Sequence, residues 1–169
     1  MTIKVRLAAE NDISRIAEIT HDFEPQTIEG YRNAFYKQVL QNTEQDSNAY
    51  IFVALIDEYI VGHGKLFYFN DQKHDVDFES PQGWYLNGII VDPEYRRRGV
   101  ARKLLKARES FAFHYKSGQD IYSIVSAENV PSINYHLNSG FVEDKRAPGF
   151  LNVRLKCGEG ILFRKMLKL

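Results

Sequence analysis

The chain has 169 residues, and its 22 Lys and Arg against 22 Asp and Glu leave no formal net charge. That length suits one domain with its own core, and the charge balance gives no global field toward nucleic acid or a membrane surface. No apolar run reaches about 18 residues, which argues against a membrane-spanning helix, and no signal peptide is expected from the opening Met1-Thr2-Ile3-Lys4.

Ile3, Val5 and Leu7 alternate with Lys4 and Arg6, which predicts a first strand. Asn11 or Asp12 is placed to cap a helix carrying Ile13, Ile16, Ala17 and Ile19. A looser stretch with Phe23 and Pro25 follows. Residues 28–40 then predict a second helix rich in aromatics, Tyr31, Phe35 and Tyr36, which serve as core or as the wall of a substrate pocket. A polar loop over 41–48 leads into a hairpin, 50–56 and 59–69, turned at Asp57-Glu58. Gly62 and Gly64 inside it predict a bulge or a close backbone approach. Residues 70–83 are polar and mostly acidic, with Asp71, Asp75, Asp77 and Glu79 against Lys73 and His74. They form a solvated loop or an acidic lip for a cationic amine.

Residues 85–91 are apolar and β-branched apart from Asn87 and Gly88, which predicts a strand that Asp92-Pro93 stops. From Gly99 the spacing turns helical. Val100, Leu104, Ala107, Phe111 and Tyr115 form one stripe, with Arg102, Lys103, Lys106 and Arg108 assigned to the other sides. A turn at Gly118-Gln119-Asp120, a strand at 121–126 and a short helix at 129–139 come next. Pro131 fits that helix's first turn and Gly140 its end. Phe141 opens another strand, Ala147-Pro148-Gly149 makes a turn, and 161–167 is the closing strand. An antiparallel start with a parallel strand–helix–strand centre predicts one α+β domain over residues 1–169.

The join of the central strand and helix, Arg96-Arg97-Arg98-Gly99-Val100-Ala101, has the chemistry of a phosphate site. A helix's opening turn offers amides without intrahelical partners and a partial positive charge. Gly99 lets an anion approach the backbone, and three arginines add charge-assisted donors. The competing reading is a solvated basic turn.

Arg96-x-x-Gly99-x-Ala101, preceded by Ile89-Ile90-Val91-Asp92-Pro93-Glu94-Tyr95, resembles the acetyl-CoA motif of the GNAT superfamily of N-acetyltransferases. The resemblance implies a mixed, mostly antiparallel sheet with helices on both faces and a central β-α-β unit that holds acetyl-CoA. It implies a diphosphate on Arg96, Arg97, Arg98, Gly99, Val100, Ala101 and Arg102, and a pantetheine arm along Ile89, Ile90 and Val91. Asn129-x-x-Ser132-x-x-Tyr135-His136-x-x-x-Gly140-Phe141 resembles the family's downstream motif, which gives Asn129 to the pantetheine arm and Ser132 to the cofactor's vicinity. His136 stands where many members carry the tyrosine that protonates the leaving thiolate, so His136, or Tyr135 beside it, is the candidate acid. An oxyanion donor is expected among the strand amides around Ile90 and Val91. The general base stays open, with water relayed by Asn87 or Tyr85 as one route.

Cys157, the one cysteine, cannot form an intrachain disulfide, and a cytoplasmic protein is expected. A covalent route through it is disfavoured, since no histidine lies near it in sequence. The histidines at 21, 63, 74, 114 and 136 lack paired ligand spacing, so no metal is expected. The leading function is transfer of acetyl from acetyl-CoA to a primary amine, in a monomer or homodimer with no nucleic-acid or membrane partner. Cys157-Gly158-Glu159-Gly160-Ile161-Leu162-Phe163, with Trp84-Tyr85-Leu86 and Val91-Asp92-Pro93, also resembles bacterial proteins classed with aminoglycoside 6'-N-acetyltransferases, which makes an aminoglycoside one candidate acceptor. The alternatives are an acetyltransferase of protein N-termini or lysines, and a non-catalytic acetyl-CoA-binding module.

Overall fold

A computed structural model describes residues 2–22, 27–41, 48–70, 76–116 and 119–168. In chain order the elements are β1 (Ile3–Leu7), α1 (Ile13–His21), α2 (Ile28–Gln41), β2 (Ala49–Ile56), β3 (Tyr59–Phe69), β4 (Gly83–Val91), α3 (Val100–Tyr115), β5 (Asp120–Ser126), α4 (Val130–Asn138), β6 (Val142–Ala147), β7 (Gly149–Phe150), β8 (Val153–Arg154) and β9 (Gly160–Met166). Seven strands make one sheet in the order β1-β2-β3-β4-β5-β9-β6, and β7 with β8 makes a separate ribbon. β4 and β5 run parallel, while β1–β2, β2–β3, β5–β9 and β6–β9 are antiparallel. The strand and helix signals predict an α+β domain with a parallel centre, and the sheet is mixed and mostly antiparallel as the family resemblance implies. The looser stretch with Phe23 and Pro25 lies outside the described residues, as do Asp71, Lys73, His74 and Asp75 of the acidic segment, most of the 41–48 loop, and Gly118. No helix among the described residues is long and apolar enough to cross a membrane.

The chain forms two compact units, Met1–Phe67 with Gly88–Ser110, and Tyr68–Asn87 with Phe111–Leu169. In the first, every third or fourth residue of α1 and α2 turns to one core. Ile13, Ile16 and Ile19 meet Tyr31, Phe35 and Val39, and Ile51, Val53 and Leu55 of β2 close it from the sheet. Tyr31 and Phe35 stack at 6.1 Å between centroids, so two of the three α2 aromatics are core, while Tyr36 is exposed. Asp12 stands at the N-cap of α1, but its carboxylate works backwards. It accepts the Ala9 amide at 2.7 Å and the Arg6 guanidinium at 2.5 and 2.9 Å.

The β2–β3 hairpin turns at Asp57 and Glu58, both at positive φ (49° and 63°), the backbone that matches strand twist in a two-residue turn. The register slips between Ala54 and Leu55, which pair with Gly62 and Ile60 and leave Val61 as the extra residue. Neighbouring β3 residues then point to opposite faces. The His63 ring meets Thr20 of α1 and Phe35 of α2, whereas Gly62 and Gly64 face Val100 and Arg108 of α3. Helices therefore cover both faces of this strand.

In the second unit Trp84 is fully buried, edge-on to Tyr68 at 5.2 Å and to Phe111 at 6.2 Å. Tyr85 stacks on Tyr122 at 5.3 Å. The parallel register runs from Trp84↔Ile121 to Leu86↔Ser123. The β7–β8 ribbon follows where the sequence suggests only a turn at 147–149, because two-residue strands are too short to leave a periodic pattern.

Candidate active site

The end of β4 is fixed before the arginine run begins. The Asp92 amide donates to Val61 O of β3 at 2.9 Å, and the Asp92 carboxylate takes the Glu94 amide at 3.0 Å, capping a single 3-10 turn at Pro93–Tyr95. Arg15 of α1 forms an ion pair with the same carboxylate, donates from Nε to Ile60 O at 3.2 Å, and lies 4.6 Å over the Tyr59 ring. Both partners are half-buried, which raises the value of the pair above that of a fully exposed ion pair.

From this anchor the chain folds back. Arg96 Nε donates to Val91 O at 3.2 Å, Arg97 adopts a left-handed φ of 59°, and Gly99 follows at 85°. The first helical bond of α3 runs from the Lys103 amide to Gly99 O at 3.0 Å, which makes Gly99 the cap. Arg96, Arg97, Arg98, Gly99 and Arg102 are exposed, Ala101 is half-buried, and Val100 points into the core. A Cβ on Gly99 would meet nothing within 4 Å, so the backbone at the helix start faces open space. The Arg98 guanidinium lies 5.3 Å over the Tyr95 ring, which aims it without neutralising it. A helix dipole, an open glycine and four exposed guanidinium groups are a fit for a diphosphate. On the strand side, Asn87 and Gly88 are exposed and Ile89, Ile90 and Val91 half-buried.

In the second unit Asn129 caps α4, its Oδ1 accepting the Ser132 amide at 3.1 Å. His136 is buried, stacked on Phe163 at 5.3 Å and edge-on to Phe141 and Tyr135. Its Nδ1 lies 2.7 Å from Ser132 O and 3.4 Å from Ser132 Oγ. A carbonyl only accepts, so Nδ1 carries the hydrogen, and neutral imidazole then presents an acceptor at Nε2. Tyr135 is half-buried. The Tyr85 hydroxyl donates to Pro81 O at 2.7 Å, and burial, with Tyr122 next to it, raises its pKa far above the usual phenol range. That proton does not leave at neutral pH. Cys157 lies 3.1 Å from Ser126 Oγ, a contact that lowers its thiol pKa. Asp77 and Glu79 are exposed on either side of Phe78, whose amide bonds Leu151 O at 2.9 Å. Among the described residues no three His, Cys, Asp or Glu side chains gather as a metal site would need.

Two features escape a reading of the sequence. Arg15 pairs with Asp92 across a separation of 77 residues, with no local signature. Arg108, assigned to the sides of α3 away from the apolar stripe, is fully buried. Four residues past Leu104 it stands about 40° round the helix, inside the apolar stripe.

The profile of the Acetyltransferase (GNAT) family matches residues 16–141. The chain belongs to the GNAT acetyltransferase family. Among curated proteins, aminoglycoside N(6')-acetyltransferase type 1 of Salmonella typhimurium is 32% identical over 95 residues, covering 56% of this chain and 63% of the relative. This chain thus spans less than two thirds of that relative's length. Among solved structures, an N-acetyltransferase from Staphylococcus aureus Mu50 superposes with a TM-score of 0.70 at 21% identity, covering 99% of this chain and 100% of the other. Aminoglycoside 6'-N-acetyltransferase AAC(6')-Ih from Acinetobacter baumannii gives a TM-score of 0.71 at 19% identity, covering 90% and 99%. At these identities the two structures show the shared GNAT fold.

Proposed function

We propose that this GNAT protein transfers an acetyl group from acetyl-CoA to a primary amine of a small cationic molecule, with aminoglycosides as the acceptor class, and that residues 1–169 act as one catalytic domain. The observation that carries the proposal is the open Gly99 backbone at the start of α3, flanked by exposed arginines and fixed through Asp92 and Arg15. Arg96, Arg97, Arg98 and Arg102 hold the diphosphate with the first-turn amides of Val100 and Ala101, and Ile89 to Val91 take the pantetheine arm. Asn129 has committed Oδ1 to Ser132, so its amide NH2 is the group it can offer to a pantetheine arm.

In the reaction the amine lone pair forms a bond to the thioester carbonyl carbon while the carbonyl π pair moves onto oxygen. On collapse the C–S bond breaks, its electron pair leaves on sulfur, a donor protonates that sulfur, and water takes the proton lost by the amine. His136 with Nδ1–H on Ser132 O would have to be cationic to donate from Nε2, and burial opposes a charge there. This favours the Tyr135 hydroxyl as the donor, with His136 packing behind it. Tyr135→Phe is expected to lower kcat about 10²-fold while acetyl-CoA affinity stays within about twofold. An unchanged kcat would remove Tyr135 from the mechanism.

The curated relative's name and the exposed Asp77 and Glu79 support a cationic acceptor. Reversing both, Asp77→Lys with Glu79→Lys, is expected to raise KM for an aminoglycoside about tenfold at low salt and to leave KM for acetyl-CoA alone. Thiol release from acetyl-CoA with aminoglycosides, small polyamines and peptides tests the whole reading. Turnover with peptides alone would shift it to a polypeptide acetyltransferase, and binding without turnover to a non-catalytic module.

A further inference from the structure

Arg108 supplies an inference about the transfer step, and it rests on the acyl-transfer reading above. A guanidinium with no solvent exposure is costly to desolvate and has to be held by hydrogen bonds. Nε bonds Leu104 O at 3.3 Å, one turn back on α3, which lays the side chain along its own helix. Nη1 donates to two strand carbonyls, Lys65 O of β3 at 2.9 Å and Gly88 O of β4 at 3.1 Å. The strands are shaped to receive it. A Cβ on Gly64 would fall 2.9 Å from Nη1 and 3.1 Å from Gly88 O, so only glycine leaves the guanidinium its place. Gly88 itself has a φ of 66°, outside the strand region, with open space where a Cβ would sit.

The consequence follows from peptide planarity. Gly88 C=O and Ile89 N–H belong to one trans unit and point in opposite directions. With the carbonyl held by Arg108 on the β3 side, the Ile89 amide is turned to the opposite edge of β4. The Asp92 amide faces β3 through Val61 O, and strand alternation puts the Ile90 amide on that same side. Ile90, one of the two amides expected from sequence, is thereby turned away, and Ile89 takes its place. A cation bonded to the carbonyl also draws electron density from the peptide and makes its N–H a stronger donor.

We propose that Arg108 is a positioning residue that orients and polarises the Gly88–Ile89 peptide, so that the Ile89 amide receives the negative charge developing on the thioester oxygen. Arg108→Met should lower kcat about 30- to 100-fold with the best amine of the panel, less than outright loss of an oxyanion donor because the amide itself remains. The dissociation constant for acetyl-CoA should stay within about threefold, because the diphosphate corner is untouched. Arg108→Lys keeps the charge and one donor and should recover part of the rate. A purely structural role would not move the carbon NMR signal of bound acetyl-CoA labelled at the thioester carbonyl. That signal should shift downfield on binding to the wild-type protein and return toward the free position in Arg108→Lys. If Arg108→Met does not fold, the wild-type shift and the lysine variant decide the matter. A folded Arg108→Met with wild-type kcat, or a wild-type-bound carbonyl signal identical to the free one, overturns the proposal. Wild-type protein that binds acetyl-CoA but turns over no amine removes the acyl-transfer reading itself, and this proposal with it.

Discussion

Changing Arg98 and Gly99 together to glutamate is expected to weaken acetyl-CoA binding by about 10²- to 10³-fold. One guanidinium donor to a phosphate oxygen is lost, a contact worth roughly 1.5–3 kcal/mol when charge-assisted. Two carboxylates then stand at the positive end of α3, each opposing an anion by roughly 0.3–1 kcal/mol. Gly99 adds a backbone effect, since its φ of 85° disfavours a side chain by about 1–2 kcal/mol. That strain falls on folding rather than binding, and a control separates the two. Gly158 has a φ of 84° and equally open surroundings, but lies in the turn ahead of β9 in the second unit. Gly158→Glu should show a similar loss in thermal stability with acetyl-CoA affinity intact. Calorimetric titration of the three proteins makes the comparison. Affinity of the double variant within about threefold of wild type would mean that the corner at Gly99 does not hold the diphosphate.

Much of this corner was legible because its signals are local. Asp92-Pro93 ends a strand whatever surrounds it, and Gly99 starts a helix through its own backbone freedom. β1 and the α1 and α2 stripes follow the same logic of period two and period 3.6. Side chains whose roles depend on distant partners were not legible. Arg108 groups with the basic residues on the other sides of the helix when charge is weighed above its place in the Leu104 stripe. The matching signal was on another strand, where Gly62 and Gly64 clear a face of β3, and only the pairing of β3 and α3 across that face connects them. His136 was partly legible. A polar ring four residues after Ser132 can bond back to that carbonyl, but nothing in the sequence says that Phe141 and Phe163 enclose it.

His63 is expected to make the first unit acid-sensitive well above the carboxylate range. The ring is buried on β3, with Nε2 2.9 Å from Thr20 Oγ1. Thr20 Oγ1 gives its own hydrogen to Ile16 O at 2.7 Å, so Nε2 is the donor and Nδ1 is bare. Nδ1 has no hydrogen-bond partner among the described residues. The groups around the ring offer nothing to a second proton. Phe35 meets it edge-on at 5.6 Å, Lys65 projects onto that same Phe35 ring at 4.9 Å, and Arg108 adds positive charge from across the strand. Burial first, then the charges of Lys65 and Arg108, lower the pKa from 6.5 to about 3. Above pH 6.5 the folded and unfolded chains both carry neutral imidazole, and the stabilisation is complete. Below it the unfolded chain takes up a proton that the folded chain refuses, so the unfolding free energy falls by about 1.4 kcal/mol per pH unit until the folded pKa is reached. The full loss is roughly 4–5 kcal/mol as an upper bound, comparable with the whole stability of a modest domain. Asp12 does not confuse the window. Burial works to raise its pKa, but Arg6 and the Ala9 amide bring it below 3.8, so its contribution disappears only in stronger acid. Urea unfolding at about pH 7, 6 and 5 should show a decline of about 2 kcal/mol, which His63→Gln, a donor that does not titrate, should flatten at the cost of some stability at neutral pH. A wild-type unfolding free energy that stays level across that range would mean that the His63 ring accepts its second proton inside the folded protein.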